Sequence, residues 1–169
     1  PEVLKQLSIL SLKVVRWNRA WEKDGQPYIP FAEYPTLSVT TTSVHDSSTL
    51  RQWWQEEHDS VRAFELSVQE AAPSGTLYTD GAFTPEAASF VLTSAARTQS
   101  IWYVPPLQDW LYLGGRYWFD NADDERVNVP GTVSAFNWTY RMKESVETLS
   151  ADSELIAKIA AIAKIHDNR

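Results

Sequence analysis

Several common features are missing from this 169-residue sequence, and each absence narrows what the protein can do. Cysteine is absent, which excludes disulfide bonds, thiolate catalysis and cysteine-ligated metal sites. No apolar run approaches the roughly 18 residues of a membrane helix, and no signal-peptide pattern opens the sequence. An excess of positive charge is also missing, since the formal net charge is −7. Nucleic-acid and anionic-membrane surfaces need clustered Lys and Arg, so a neutral ligand is favoured.

Aromatic residues are plentiful, whereas glycine is scarce. The sequence has 8 Trp, 7 Tyr and 6 Phe against 6 Gly. Aromatic rings stack well on the apolar faces of sugars, but Trp also fills protein cores, and composition leaves both interpretations open. At this length the chain is of one-domain size and can bury about 68–70% of its unfolded surface. We find no internal repeat and no domain boundary, so residues 1–169 are predicted to form one continuous segment.

The most informative stretch is residues 36–54, where a β-branched run ends in a His-Asp pair and turns into a helix start. Residues 37–44 predict a buried strand, because Val and Thr are stiff at χ1 and suit a pleated sheet. His45 and Asp46 follow where this strand ends. In parallel α/β folds ligand and catalytic residues collect at that end of a strand. The alternative is structural, since Asp46, Ser47 or Ser48 can cap the helix that begins near residue 49.

The remaining elements alternate in a way that is typical of an α/β fold. Further strands are predicted at residues 11–17 and 100–104. Helices are predicted at about 1–9, from 49, at 60–70 with a stop at 73–75, at 84–98, at 110–113 and at 152–166. Thr84 and Pro85 are the predicted cap and first residue of the helix at 84–98. Residues 150–152 are predicted to cap the last helix, on which Leu155, Ile159, Ile162 and Ala163 form one apolar stripe. This order favours βαβ crossovers and a parallel sheet. Because three strands leave open edges, and because Pro1 is followed at once by a helical pattern, we expect a piece of a larger closed barrel.

Four long motifs then carry a resemblance to a known family. They read LKVVRWNRAWEKDGQPYIP, SVTTTSVHDSSTLRQWW, VPPLQDWL and RVNVPGTVSAFNWTYRM, in this order. Together they resemble the 4-alpha-glucanotransferases of glycoside hydrolase family 77, the amylomaltases or disproportionating enzymes, over nearly the whole chain. The resemblance implies the C-terminal portion of a (β/α)8 barrel, about strands six to eight. It also implies retaining glucan transfer, with the nucleophilic Asp and the acid/base Glu on earlier strands that this sequence does not include.

The resemblance assigns roles to particular residues. Asp46 matches the family's transition-state stabiliser, while His45 and Asn128 match positions that bind the sugar. Six residues are expected to support the site: Arg51, Gln108, Asp109, Asn137, Trp138 and Arg141. For Arg51 two readings stay open, a pairing with a nearby carboxylate or a solvated position on its helix. Trp138 and Arg141 are expected to pack and support rather than touch sugar, and Trp53 and Trp54 are expected to pack the helix against the barrel.

Other polar clusters are discounted as sites. His58 and Asp59 repeat the dipeptide but are expected on a solvated helix face, and His166 suits the last turn of its helix. Residues 120–125 have a calcium-like composition without EF-hand spacing, so we expect a solvated loop and no metal site.

The resulting expectation is a part of a glucan-transferring enzyme. Its partners are a maltodextrin or other α-glucan and the remainder of the catalytic barrel, with no cofactor, no nucleic acid and no membrane. A cytoplasmic location is expected, and self-association through the open sheet edges is a further expectation. Because both reacting carboxylates lie elsewhere, the chain alone is expected to be inactive. The alternative is a non-catalytic module that binds glucan weakly or packs through its sheet edges.

Overall fold

A three-stranded parallel sheet forms the base of the structure, which is a computed structural model that describes residues 2–71 and 82–168. The strands are β1 (Ser11–Val14), β2 (Ser38–Thr41) and β3 (Trp102–Tyr103). They lie side by side in chain order, with β2 in the centre and both of its pairings parallel. The parallel sheet predicted from the sequence is therefore confirmed. Because both pairings are parallel, the carboxyl ends of all three strands lie at the same edge of the sheet.

The strands are shorter than the sequence predicted. Residues Val15–Trp17 form a 3₁₀ turn, so Arg16 and Trp17 are not the last residues of a strand. After β2, the hydroxyl groups of Thr42 and Ser43 donate to the Asp109 carboxylate. Local sequence predicts how far an extended run can continue, but at β2 a long-range side-chain partner holds the residues that follow the end of the strand.

Seven α-helices accompany the sheet among the described residues. They are α1 (Glu2–Gln6), α2 (Leu50–Glu56), α3 (His58–Ala71), α4 (Pro85–Ala96), α5 (Leu107–Leu111), α6 (Val146–Ala151) and α7 (Ser153–Asp167). The predicted start of α4 is confirmed, since Thr84 accepts from the Ala87 N–H and Pro85 is the first helical residue. The Asp152 cap of α7 is confirmed as well. The sequence did not predict α6, and the stop predicted at 73–75 lies outside the described residues.

Helix α4 lies between two apolar cores. Its Val91 side packs into a cluster with Trp53, Trp54 and Phe64, which confirms the packing role expected for the two tryptophans. On another side, Leu92 joins a second cluster formed by the end of α5, the turn that follows it, and α7. The helices thus cover one face of the sheet, and the hydroxyl of Tyr103 in β3 donates to the Leu92 carbonyl at 2.8 Å.

The opposite face of the sheet carries exposed apolar side chains. Leu12 pairs in register with Val39, and Val39 with Trp102, so these three residues lie on one face. Leu12 and Trp102 are 60% and 58% exposed. Parallel sheets are normally covered on both faces, so this face is the one that a second layer or the rest of a barrel would cover.

The chain between α5 and α6 is mostly irregular. It contains two 3₁₀ turns, Gly115–Tyr117 and Ala122–Glu125. The prediction of a solvated loop at 120–125 is wrong for its last residue, because Glu125 is almost completely buried. Within the two described ranges, no helix is both long enough and apolar enough to cross a bilayer.

Candidate active site

His45 and Asp46 lie together in the loop between β2 and α2, at the carboxyl edge of the sheet. The His45 Nε2 atom is 3.2 Å from Asp46 Oδ2, and both side chains are more than half exposed. An exposed pair of this kind contributes little to folding stability. Its exposure at the edge where the strands end makes it available to a ligand instead.

Helix α2 does not use Asp46 as its cap. Thr49 is the N-cap, with its side-chain oxygen accepting from the Gln52 N–H, and the Gln52 side chain in turn accepts from the Thr49 N–H. This reciprocal capping box satisfies the helix start without the residues before it. The expectation that Asp46, Ser47 or Ser48 caps this helix is therefore wrong, and the Asp46 carboxylate is left for another role.

The irregular segment after α5 returns to this loop. The side-chain amide of Asn128 donates to Asp46 Oδ1 at 2.7 Å. The ring of Trp138 lies 5.1 Å from the His45 ring, measured between centroids. The structure therefore brings together His45, Asp46, Asn128 and Trp138, which the sequence places up to 93 positions apart.

Asn137 and Trp138 shape the turn that carries Asn128. The Asn137 side chain accepts from the Val129 N–H and donates to the Thr132 carbonyl. The Trp138 N–H donates to the Val127 carbonyl at 2.7 Å. Trp138 has a φ of +68°, which is uncommon for a bulky residue and is often found at functional sites.

Two of the expected supporting residues differ from the prediction. The packing role expected for Trp138 is not observed, because its side chain is 60% exposed. Its ring contacts the ring of His45 at the edge of the site. Arg141 is exposed and donates to the Tyr140 carbonyl next to it. Among the described residues, nothing places the Arg141 guanidinium at His45 or Asp46.

Gln108 and Asp109, two of the expected supporting residues, lie in the first turn of α5. Asp109 is completely buried and accepts from the Thr42 and Ser43 hydroxyls. Burial raises the pKa of the Asp109 carboxyl, and the two hydroxyl hydrogen bonds and the charge of Arg16 oppose this shift. Asp109 therefore holds the end of β2 and does not reach Asp46.

Sequence reasoning missed Arg16. Its buried guanidinium donates to the hydroxyls of Ser47 and Ser48 and to the carbonyls of Ser48 and Thr49. Burial lowers its pKa, and the negative charge of Asp109 opposes that shift. An Arg remains charged under these conditions. Its position among the last residues of the strand predicted at 11–17 was the signal that could have marked it, because strand ends collect functional residues at this edge.

Arg51 pairs with Glu125, which decides between the two readings left open for it. Arg51 Nη1 lies 3.0 Å from Glu125 Oε1, and both side chains are largely buried. No motif in the sequence singles out Glu125. A small cavity of about 140 Å³ lies next to this region and is lined by residues that include His45, Gln108 and Tyr140. No cluster of three or more potential metal-ligating side chains is found in the described ranges.

Comparison with known proteins identifies the family. Residues 1–148 match the family model for glycoside hydrolase family 77, whose description is 4-alpha-glucanotransferase. The chain belongs to glycoside hydrolase family 77. The family-77 chain is 38% identical to a 4-alpha-glucanotransferase of Chlamydia muridarum over 162 residues, which cover 95% of this chain and 29% of that protein. It is 28% identical to a 4-alpha-glucanotransferase of Oryza sativa subsp. japonica, covering 93% of this chain and 16% of that protein.

Two solved structures share the fold of this family-77 chain. An amylomaltase from Streptococcus agalactiae in complex with acarbose matches with a TM-score of 0.66 and 19% identity, covering 98% of this chain and 29% of that one. An amylomaltase from Corynebacterium glutamicum matches with a TM-score of 0.67 and 20% identity, covering 96% and 26%. These matches confirm the α/β fold class, and the parallel three-stranded sheet with its helices fits part of a (β/α)8 barrel. The chain spans less than a third of the length of these relatives.

Proposed function

We propose that this chain provides the transition-state-stabilising part of a retaining 4-alpha-glucanotransferase. The observation that supports this most directly is the Asp46 carboxylate, with Oδ1 bound by Asn128 and Oδ2 beside His45. Two side chains fix its orientation, and it remains 53% exposed at the carboxyl edge of the sheet. A carboxylate oriented in advance and open to a ligand suits a group that must bind sugar hydroxyls in one geometry.

The proposed chemistry gives Asp46 an electrostatic and hydrogen-bonding role. Hydroxyl groups of the glucose unit donate to its oxygens, and those bonds strengthen as the ring flattens toward an oxocarbenium ion. His45 and Asn128 bind the same unit and keep the carboxylate in place. A nucleophilic carboxylate and an acid/base carboxylate about 5–5.5 Å apart complete the reaction. In this proposal both come from other strands of the barrel, and the reaction needs no cofactor.

The substrate class follows from the family. We infer that α-1,4-glucan segments are transferred between maltodextrins, or to glucose or another glycan as acceptor. Transfer requires that a sugar hydroxyl outcompete water for the glycosyl-enzyme intermediate, which exclusion of water by loops favours. Residues 18–35 and 116–136 are the loops of this chain that we expect to contribute. A cytoplasmic location stays a prediction.

The test replaces Asp46 in a polypeptide that contains residues 1–169 together with the other strands of the barrel. Asp46→Asn keeps the shape of the side chain but removes its charge, so we expect disproportionation of maltotriose to fall at least about 100-fold. The matched control is Asp59→Asn, since His58 and Asp59 form the same dipeptide on the exposed surface of α3. Near-normal activity of the Asp46 variant would refute the stabiliser role.

The alternative function is a non-catalytic glucan-binding or interaction module, which the exposed apolar face of the sheet favours. The same maltotriose assay separates the two when the 169-residue chain is used alone and together with the rest of the barrel. The transferase proposal expects no glucose release from the chain alone and activity from the larger polypeptide. A larger polypeptide that binds maltodextrin without transferring it would favour the module.

A further inference from the structure

Glu125 is a buried carboxylate with every oxygen bound. It is the last residue of the 3₁₀ turn after α5, and its side chain is 2% exposed. Its Oε1 accepts from Arg51 Nη1 at 3.0 Å and from the Phe119 N–H at 2.9 Å. Its Oε2 accepts from the Tyr112 hydroxyl at 2.7 Å. A buried carboxylate needs hydrogen bonds to both oxygens, because an unpaired charge in the interior is costly.

The partners of Glu125 come from separate elements. Arg51 lies in α2, directly after the loop that carries His45 and Asp46, and Tyr112 follows the last residue of α5. The backbone of Glu125 is held too, since its carbonyl accepts from the Gln108 side chain at 2.6 Å. Arg51 also donates to the Phe119 carbonyl at 2.7 Å. Glu125 therefore fixes the irregular segment to both α2 and α5.

This attachment lies immediately before the residue that touches Asp46. Asn128 follows Glu125 by three positions, so even in an extended chain the two residues are only about 10 Å apart. From residue 126 to 145 the described chain has neither an α-helix nor a strand to define its course. The Glu125 attachment holds the start of this segment, the hydrogen bonds of Asn137 and Trp138 hold its turn, and Lys143 near its end donates to the Trp118 carbonyl.

Buried ion pairs seldom add much net stability, because the cost of removing two charges from water offsets their attraction. They fix geometry more effectively than they stabilise. We propose that Glu125 is a positioning residue of the active site, which holds the side-chain amide of Asn128 against Asp46. The inference rests on the proposed function only for its effect on catalysis. The geometric part concerns this chain alone.

A second cluster of the same residue types provides a control. Asp152 accepts from Arg116 and from the Tyr117 hydroxyl, as Glu125 accepts from Arg51 and Tyr112. However, Asp152 caps α7. Asp152→Asn therefore removes a carboxylate from an Arg-Tyr cluster without touching the attachment before Asn128.

The kinetic experiment compares Glu125→Gln, Asn128→Ala and the double variant in the polypeptide with the complete barrel. We expect Glu125→Gln to lower kcat for maltotriose about tenfold with little change in KM. Asn128→Ala should lower kcat by at least as much and also raise KM, because Asn128 binds the sugar in the proposed function. The double variant should be no slower than Asn128→Ala alone, because both changes remove the same interaction. A double variant slowed by the product of the two effects, at least about 100-fold, would overturn the proposal, since a general structural role acts independently of Asn128.

A second measurement tests whether Glu125 holds Asn128 in place and does not depend on enzyme activity. In the 169-residue chain, NMR hydrogen exchange of the Asn128 side-chain amide and of the backbone from 127 to 138 should accelerate at least about tenfold in Glu125→Gln. Asp152→Asn should leave it unchanged. Tyr112→Phe keeps the ion pair and removes one hydrogen bond, so it should accelerate exchange less and serves if Glu125→Gln does not fold. Unchanged exchange in both Glu125→Gln and Tyr112→Phe would overturn the proposal, whereas a complete polypeptide without transferase activity would overturn only the proposed function.

Discussion

Two buried side chains of opposite charge support the loop that carries His45 and Asp46. Asp109 binds the residues before this loop, through the Thr42 and Ser43 hydroxyls. Arg16 binds the residues after it, through groups of residues 47–49. The loop is thus held at both ends while its centre stays exposed, as expected of a site whose side chains must be in place before the ligand arrives.

The buried carboxyl of Asp109 makes stability depend on pH in a definite direction. Its pKa in the folded chain is raised above the ordinary value of 3.8, chiefly by burial. Its contribution to stability is therefore fully present below that value and is lost as pH rises through the folded-state pKa. Asp109→Asn removes this loss, because a neutral amide oxygen can still accept from Thr42 and Ser43.

We therefore expect Asp109→Asn to become more stable relative to the parent chain between pH 4 and pH 7, so that its free energy of unfolding rises relative to that of the parent. The change cannot exceed about 1.4 kcal/mol per pH unit for one proton. Urea unfolding at several pH values measures this difference, and contributions of other titrating groups cancel in it. A difference that stays constant over this range would show that burial of Asp109 has no effect on its titration.

At the scale of elements, α7 is attached to the rest of the chain by a narrow apolar stripe. The sequence predicted this stripe from the spacing of Leu155, Ile159 and Ile162, and the structure confirms that Leu155 and Ile162 are buried against α4 and the end of α5. Ile159 packs at the margin of the same cluster. The Asp152 cap and this stripe together fix where the last helix begins and which side faces inward.

The stripe predicts unequal effects for two isoleucines of α7. Ile162→Ala leaves a cavity in the second core, so we expect a loss of about 2–4 kcal/mol in unfolding free energy. Ile156→Ala should change it by less than about 0.5 kcal/mol, because Ile156 is 47% exposed on the same helix. Urea denaturation of both variants tests this. Equal losses would mean that α7 docks through a different face.

In the molecule as a whole, helices cover one face of the sheet and leave the other face exposed. The helices and their two cores cover one face of the sheet, while Leu12 and Trp102 project from the other. Strands β1 and β3 have no further neighbour among the described residues. Open edges and exposed apolar faces promote association, although the net charge of −7 opposes it.

We expect the 169-residue chain to self-associate when it is not combined with the rest of the barrel. Trp102→Glu places a charge on the open face, so sedimentation velocity should show association shifted to at least about tenfold higher concentration. The matched control is Trp21→Glu, which changes a tryptophan of similar exposure, 56% against 58%, that lies outside the three strands. If both variants associate as the parent does, the contact lies elsewhere.

Local sequence was sufficient for features that depend on neighbours along the chain. It predicted the parallel order of three strands, the Thr84 and Asp152 caps and the buried stripe of α7, since spacing and capping act within a few residues. The motifs also identified the family, and with it His45, Asp46 and Asn128. Their roles in binding and catalysis belong to the proposed function.

The packing of the elements determines which residues meet across the sequence. Several features of the site depend on contacts between residues more than 30 positions apart. These features are the burial of Glu125, the hydrogen bonds by which Arg16 and Asp109 hold the two ends of the site loop, and the position of Trp138 beside His45. A carboxylate in an acidic run is normally solvated, and it is buried only where a partner such as Arg51 offsets the cost of removing its charge from water. Periodicity cannot predict such partners, because they are set by how elements pack and not by the order in which residues follow each other.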